Sequence, residues 1–389
     1  MPPRPELDRP LLTPRRRGVW AAAPSGTWAR TDWGLLIGAA GLSLVGALLV
    51  WSATRQDAGS AYLYRHLLNT GLGMALAAVV TRTGHQALRA IAPALYGLSV
   101  LGLVLVLTPL GSTVNGSHSW ILLPGGFSVQ PSEFAKAALC VGLAIVLGER
   151  LDRGARPDHR DVAVAWLAAA LPVGLVMLQP DLGSALVLGA LAFGVIALSG
   201  APARWLAAAV AAVTAAVTVA LTTPVLSDYQ RDRLVAFANP QADPQGIGYQ
   251  TRQVRIAIGS GGWQGQGLFE GRQTQGGFIP YQQTDFIFSV AGEELGFLGA
   301  AGVLLLLGFL IVRTVVVAAR ARDAFGRLMA LGVAVWFTFQ VFENVGMNLG
   351  LMPVTGLPLP FVSYGGSSMF ACWLAIGLVN NAHLSARRR

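Results

Sequence analysis

Long apolar segments alternate with short polar segments along most of the chain. Several of them reach the roughly 20 residues that a membrane-spanning helix needs, and the others reach it with flanking residues. The pattern predicts an all-α polytopic membrane protein of about ten transmembrane helices. The ten segments are Trp33–Ala53, Leu67–Val80, Ala90–Leu107, Phe134–Leu147, Val162–Leu178, Leu182–Leu198, Trp205–Thr222, Phe286–Val312, Leu328–Val345 and Phe370–Val379.

The polar segments between these helices define the expected organisation. We expect residues 1–30 to be a disordered basic cytoplasmic tail and residues 31–383 to form a single ten-helix membrane domain. Residues 384–389 are expected to be a basic cytoplasmic C-terminus. The longest polar stretch, residues 224–284, is predicted to be an extracytoplasmic loop between helices 7 and 8.

Composition and charge agree with a membrane protein and indicate its orientation. Hydrophobic residues make up 53% of the chain and charged residues 12%. Of 28 basic residues, one is lysine, which leaves 27 arginines; 20 of these fall in inside segments if the N-terminus is cytoplasmic. The net charge of +9 therefore reflects topology and attraction to anionic membrane lipids. A nucleic-acid surface is not indicated, because the arginines are scattered over short loops.

Two opposite charges enter an apolar segment in the stretch "PSEFAKAALC". Glu133 and Lys136 are three residues apart, so they share one helix face and can form an ion pair. A charge near hydrocarbon is costly and needs a partner or a role. Lys136 is the chain's only lysine, a compact point charge where arginine is used elsewhere, which favours a functional role. A structural ion pair that holds the bundle together is the alternative.

Aspartates lie where two other polar segments meet apolar ones. Asp181 follows Pro180 and is either a helix N-cap or a site residue. Asp285 precedes "FIFSVAGEELG", and either it or Thr284 could cap that helix. The apolar residues after Asp285 would partly desolvate its carboxylate, which suits a general base. Further along, buried hydrogen-bonded carboxyls are expected at Glu293, Glu294 and Glu343.

Basic and glycine-rich segments supply candidate anion-binding groups. Arginine forks suit phosphate or pyrophosphate, although a solvated loop surface is the alternative. The stretch "SYGGSS" is either a backbone nest for an anion or a loop-to-helix turn. No zinc-type His/Cys spacing and no nucleotide-binding loop in a strand–helix context occurs. The candidate substrate-binding residues are Asp181, Gln230, Arg231, Arg233, Ser363, Gly365 and Gly366, with Arg252 and Arg255 nearby.

Taken alone, these residues describe a helical bundle with an outward-facing polar pocket. The pocket offers two or three carboxylates, one lysine and several arginines. Such a set suits either chemistry on a lipid-anchored phosphate substrate or transport of that substrate. The residues alone do not separate the two.

Five long motifs resemble the SEDS family (shape, elongation, division and sporulation proteins). They occur in the family's order from Gly116 to about Asn381: "GSHSWILLPGGFSVQPSEFAKAAL", "QPDLGSALVL", "IAIGSGGWQGQG", "TDFIFSVAGEELGFLG" and "NVGMNLGLMPVTGLPLPFVSYGGSS". The proline at Pro358 is more similar to the elongation members (RodA) than to the division members (FtsW).

The resemblance implies a peptidoglycan glycosyltransferase that polymerises lipid II at the outer face of the cytoplasmic membrane. It also implies a role in cell elongation and shape, and a class B penicillin-binding protein as partner. Within the matching motifs, Asp285 corresponds to the family's essential aspartate, and Glu133 and Lys136 correspond to its functional pair. These three are the expected catalytic residues. A lipid II flippase, the division role of FtsW, and a noncatalytic scaffold are the alternatives.

The implied mechanism assigns a role to each member of this set. Asp285 would take the proton from the acceptor sugar's 4-hydroxyl as that oxygen attacks C1 of the donor. Lys136, oriented by Glu133, would order the site or face the pyrophosphate. No cofactor is certain, but Mg²⁺ or Mn²⁺ is a candidate because pyrophosphate and carboxylates are hard oxygen ligands.

Overall fold

The computed structural model describes residues 27–114, 117–123, 127–222, 237 and 246–386. The predicted tail falls largely outside these residues, apart from a short helix at its end. In chain order the helices are α1 (Thr27–Arg30), α2 (Trp33–Ala58), α3 (Ala61–Arg82), α4 (His85–Val106), α5 (Pro131–Asp152), α6 (His159–Met177), α7 (Leu182–Leu198), α8 (Ala203–Thr222), α9 (Ile247–Ser260), α10 (Arg272–Gln275), α11 (Ile287–Glu294), α12 (Gly296–Arg320), α13 (Ala324–Leu349) and α14 (Gly366–Ala386).

The polytopic membrane fold is confirmed. Each predicted apolar segment overlaps a helix. Among the described residues, α2, α4, α6, α12, α13 and α14 are long and apolar enough to cross a membrane, and α7 and α8 are shorter apolar helices. Helices α3 and α5 are as long as α4, with 22 residues each, but they carry more polar side chains.

One predicted segment, Phe286–Val312, is two helices instead of one. Helix α11 ends at Glu294, and α12 begins at Gly296, which has a φ of 67°. The loop before α11 crosses this break, because Gln266 donates to the carbonyl of Glu293 at 2.9 Å and Gly267 to that of Glu294 at 3.1 Å. A Cβ on Gly296 would lie 2.2 Å from the nitrogen of Gly265, so the crossing requires glycine there.

The two longest polar segments contain secondary structure that the sequence did not predict. Within residues 224–284 lies α9, which packs Val254 and Ala257 against Phe286 and Met347. The segment between α4 and α5 forms a small antiparallel sheet in the order β1-β2-β3. Its strands are β1 (Ser112–Val114), β2 (Ser117–Leu123) and β3 (Phe127–Val129), a small addition to an otherwise helical fold.

Helices α5, α13 and α14 form the centre of the bundle. Fourteen of the 22 residues of α5 are buried, whereas no described side chain of α8 is buried. Aromatic rings fill the space around α13 and α14, with Phe361 between Phe337 and Trp373 at centroid distances of 5.5 and 5.8 Å. The polar residues of α5 therefore lie in the most enclosed part of the molecule.

Buried polar contacts fix the arginine-rich end of the bundle, where α3 meets α4 and α12 meets α13. His85 contacts Asp323 at 2.9 Å and Asn381 at 2.8 Å. The amide of Asn381 donates to the carbonyls of Val80 and Thr83 at 3.1 and 2.7 Å. These contacts join α14 to the turn between α3 and α4. We call the opposite end, which contains Asp285 and the start of α5, the Asp285 end.

Candidate functional site

The predicted ion pair between Glu133 and Lys136 is present and deeply enclosed. Helix α5 begins with Pro131 at its first position, which suits a residue without an N–H, and Glu133 lies in the first turn, where the helix dipole favours a carboxylate. Lys136 Nζ lies 2.7 Å from Glu133 Oε1, and the two side chains are 0% and 2% exposed. The pair is therefore inside the bundle and not on a solvent-facing wall.

Gln340 on α13 is the third member of this buried group. Its Oε1 accepts from Lys136 Nζ at 3.1 Å and from the indole N–H of Trp336 at 2.6 Å. Its Nε2 donates to the carbonyl of Pro358 at 2.7 Å. The ammonium also lies 5.3 Å from the Trp336 ring centroid, within reach of a cation–π interaction. Lys136 is thus connected to the segment between α13 and α14.

Asp285 lies at the entrance to α11 and is partly exposed. Phe286 occupies the N-cap position of α11, so Asp285 lies one residue before that cap. The backbone carbonyl of Asp285 accepts from the side-chain amides of Asn344 at 2.9 Å and Asn348 at 3.2 Å. Its main-chain position is consequently set by α13.

Ser363 connects the loop before α14 to the residue that precedes Asp285. Its hydroxyl donates to the carbonyl of Thr284 at 2.6 Å and accepts from the N–H of Leu359 at 2.7 Å. The next residue, Tyr364, donates its N–H to the carbonyl of Gln283 at 2.9 Å. The structure therefore brings Ser363 to the Asp285 segment, but through backbone contacts.

Gly365 and Gly366 form a loop-to-helix turn. Gly366 is the first residue of α14, and neither glycine has a positive φ, which the predicted anion nest would need. The adjacent Ser367 hydroxyl accepts from the N–H of Gln130, which is the N-cap of α5. The starts of α5 and α14 therefore meet.

Asp181 caps α7, as one of the two sequence interpretations expected. Its Oδ1 accepts from the N–H of Ser184 at 3.0 Å. Its Oδ2 accepts from Gln130 Nε2 at 3.0 Å and from the Ser132 hydroxyl at 3.4 Å. Oδ1 therefore caps α7, and Oδ2 joins that helix to the start of α5, next to Glu133.

The expected buried carboxyls occupy the interior. Glu293 accepts from the N–H groups of Gln273 and Thr274 at 2.7 and 2.9 Å, so it anchors α10. Glu294 accepts from the Ser52 hydroxyl at 2.6 Å. Glu343 is fully buried beside Thr355. The first two serve to fix the loop that crosses the α11–α12 break.

The basic candidates are only partly described. Gln230, Arg231 and Arg233 lie outside the described residues. Arg252 is exposed, and the exposed Arg255 donates to the carbonyl of Gly350 at 3.2 Å. In the described part of the chain, no group of three or more His, Cys, Asp or Glu residues could hold a metal ion.

Sequence reasoning missed four polar residues at this end of the bundle. Arg65 is exposed and hydrogen-bonds the phenol of Tyr364, where burial raises the phenol pKa and Arg65 opposes that rise. Gln340, Asn344 and Asn348 were missed as well, although amides every four residues in an apolar helix are a readable signal.

The FtsW/RodA/SpoVE family, described as cell cycle protein, matches residues 31–388. The chain belongs to this family. It is the SEDS family that the five motifs indicated. The match includes every described candidate residue and the Gln230–Arg233 segment.

Curated relatives and solved structures agree with this assignment. The chain is 38% identical over 360 residues to a probable peptidoglycan glycosyltransferase FtsW of Trichlorobacter lovleyi, covering 91% of this chain and 93% of the relative. It is 36% identical over 342 residues to the peptidoglycan glycosyltransferase MrdB of Escherichia coli K12, covering 88% and 90%.

Two solved structures share the fold. The first is described as "Structural coordination of polymerization and crosslinking by a peptidoglycan synthase complex". One of its chains matches with a TM-score of 0.78 and 36% identity, and the match covers 92% of this chain and 99% of that one. The other, the rod shape determining protein RodA of Thermus thermophilus, has a TM-score of 0.69 and 33% identity, covering 93% and 99%.

The geometry brings together most of the described candidates around the starts of four helices. Glu133 and Asp181 lie near the starts of α5 and α7, Gly366 begins α14, and Asp285 precedes α11. The Asp285 carboxylate is partly exposed, and α13 holds the backbone carbonyl of this residue. The starts of α5, α7 and α14 are joined through Gln130.

Proposed function

We propose that this protein polymerises lipid II into glycan strands at the outer face of the cytoplasmic membrane, for cell elongation and shape. The supporting observation is the family match over residues 31–388 together with Asp285 fixed at the mouth of the helical bundle. The enzyme class, peptidoglycan glycosyltransferase, is the one that curated relatives carry over about nine-tenths of the chain.

Asp285 is the base of the proposed reaction. The 4-hydroxyl oxygen of the acceptor sugar attacks C1 of the donor sugar, and its proton passes to the Asp285 carboxylate. The bond between C1 and the pyrophosphate oxygen breaks, and the lipid pyrophosphate leaves with the electron pair. The reaction needs no oxidant or reductant.

Positive charge for the leaving pyrophosphate comes from arginines at the Asp285 end. Arg65 and Arg252 are exposed there, and Arg231 and Arg233 belong to the same long loop. Arginine forks match phosphate oxygens in pairs. The Glu133–Lys136 pair has a different role, because both side chains are enclosed and neutralise one another. It positions the site and does not face the pyrophosphate.

The orientation and partner belong to the same proposal. The arginine distribution supports a cytoplasmic position for both termini and an outside position for the Asp285 end, where lipid II is presented after flipping. A class B penicillin-binding protein is the proposed partner, since a fold relative is described in a peptidoglycan synthase complex. Exposed apolar side chains of α12, including Phe297, Leu305 and Phe309, offer a face for its transmembrane helix.

Elongation is favoured over division by the segment before α14. Pro358 is the residue that resembles the RodA type, and its carbonyl accepts the Gln340 amide. The division role, with the same chemistry, is the alternative.

The test is polymerisation of purified lipid II by the purified protein, with and without a class B penicillin-binding protein. We expect lipid-linked glycan strands, and more of them with the partner. A flippase would instead move lipid II across vesicle membranes and make no polymer. A scaffold would do neither, and either result would overturn the proposal.

A further inference from the structure

Helix α13 carries three buried amides on one face: Gln340, Asn344 and Asn348. All three are 0% exposed, and their four-residue spacing aligns them along the helix. A buried amide is costly unless it is hydrogen-bonded, so its partners indicate what it is for. Here the partners include Lys136 of the buried ion pair and the backbone carbonyl of Asp285.

Gln340 faces the buried ion pair with its oxygen and the loop before α14 with its nitrogen. The oxygen lies between two donors, the ammonium of Lys136 at 3.1 Å and the indole of Trp336 at 2.6 Å. The nitrogen donates to Pro358 at 2.7 Å. This set of partners fixes which way the amide points.

Asn344 continues the connection one turn later. Its Nδ2 donates to the carbonyl of Leu357 at 2.7 Å and to the carbonyl of Asp285 at 2.9 Å. Gln340 and Asn344 thus hold consecutive carbonyls of the loop, those of Pro358 and Leu357. Asn344 thus joins that loop to the carbonyl of Asp285.

The carbonyl of Asp285 needs these donors because α11 does not use it. The N-cap of α11 is Phe286, so the helix's hydrogen-bonded carbonyls begin one residue after Asp285. Backbone carbonyls in enclosed surroundings are almost always paired. The amides of α13 therefore replace the helix in fixing the main chain at this position.

We propose that Asn344 and Gln340 are positioning residues that hold the main chain of Asp285 and couple it to the Glu133–Lys136 pair through Leu357 and Pro358. The proposal rests on the proposed function, in which Asp285 is the base. It explains how a pair that is sealed inside the bundle affects a reaction at its mouth. The coupling runs through hydrogen bonds between rigid elements.

The test compares Asn344→Leu with a matched control at the other end of the bundle. Leucine keeps the number and branching of the side-chain heavy atoms and removes the donors. Asn381→Leu is the control, because Asn381 is 3% exposed and also donates one amide to two backbone carbonyls, those of Val80 and Thr83. Gln340→Met tests the link to Lys136. If Asn344→Leu does not fold, the result for Gln340→Met alone decides whether the positioning role holds.

Two readouts are taken on the full-length protein in nanodiscs. Hydrogen–deuterium exchange of peptides covering residues 281–289 reports the position of the segment without any substrate. Asn344→Leu should speed this exchange about tenfold, the effect of losing one or two hydrogen bonds. Lipid II polymerisation should show kcat lowered by about 100-fold with KM unchanged, because the base is misplaced while substrate contacts remain.

The outcomes separate this inference from the proposed function. Asn381→Leu should leave both exchange at 281–289 and kcat at wild-type values, and Gln340→Met should change both in the same direction as Asn344→Leu. Unchanged exchange in Asn344→Leu, or faster exchange with unchanged kcat, would overturn the positioning role. A wild-type protein that makes no polymer would refute the proposed function, while the exchange result would still test whether α13 holds the segment.

Discussion

The ammonium of Lys136 lies 2.7 Å from Oε1 of Glu133, and neither side chain is more than 2% exposed. The two charges were taken out of water together, which is tolerated because they neutralise each other at close range. Gln340 supplies a further hydrogen bond to the ammonium. The pair therefore behaves as one unit, and removing one half is not equivalent to removing both.

Removing Glu133 alone should destabilise the protein strongly. Glu133→Ala leaves the Lys136 ammonium buried without its counter-charge, and we expect the free energy of unfolding to fall by about 3–5 kcal/mol. The double variant Glu133→Leu with Lys136→Met should recover most of that loss, since an apolar pair of similar volume packs without unpaired charge. Unfolding in detergent measures both. Equal stability of the single and double variants would show that the two charges do not behave as one unit.

Lys136→Arg should be nearly as inactive as Lys136→Ala. The site is closed, with 0% exposure and the Trp336 ring 5.3 Å from the ammonium, and the larger planar guanidinium has no space there. Lipid II polymerisation by the purified variants is the measurement. Full activity with arginine would mean that charge alone is required at this position and that the chain's single lysine has no functional meaning.

Gly46 should not tolerate a side chain. A Cβ there would lie 2.5 Å from the carbonyl oxygen of Val362, next to Ser363, and a backbone atom cannot rotate away. Gly46→Ala should cost about 1–3 kcal/mol of stability by overpacking. Gly71→Ala is the matched control, because nothing lies within 4 Å of its Cβ; it should gain about 0.5–1 kcal/mol from helix propensity. A neutral Gly46→Ala would show that α2 and this loop are not in close contact.

Much of the fold could be predicted because apolar length is a strong signal. The ten segments, the Glu133–Lys136 pair and the Asp181 cap all follow from local rules of hydropathy, spacing and capping. The break between α11 and α12 could not be read in this way. It depends on the backbone of residues 265–267, which crosses the end of α11. This is a contact between the loop and the helix that follows it in the chain.

The sequence indicated which residue types belong to the candidate site, but it did not indicate which atoms they contact. Ser363 was expected to bind substrate, but its hydroxyl holds the carbonyl of Thr284. Lys136 was expected to order the site or face an anion, and its enclosure beside Glu133 agrees with the first of these roles and not with the second. Asn344 was not singled out at all, because its importance comes from the carbonyls of Asp285 and Leu357, which only the folded chain places beside it.

The orientation of the bundle can be tested by labelling single cysteines. The native thiols of Cys140 and Cys372 are both 0% exposed and are replaced first. Ser260→Cys at the end of α9 should react with an impermeant reagent added outside the cell, and Ala155→Cys between α5 and α6 should not. Both positions are exposed in the fold, so access depends on the side of the membrane. The reverse pattern would place the Asp285 end in the cytoplasm and remove the polymerase proposal.

The most direct measurement of the central claim is lipid II polymerisation by wild-type protein and Asp285→Asn, each purified with the proposed partner, a class B penicillin-binding protein. Asparagine keeps the size and the backbone carbonyl that Asn344 holds, but it cannot accept the acceptor sugar's proton. We predict that both proteins fold and bind the partner equally, and that the variant loses polymerisation by at least about 100-fold, the usual contribution of a general base. Polymerisation by Asp285→Asn at the wild-type rate would contradict the account.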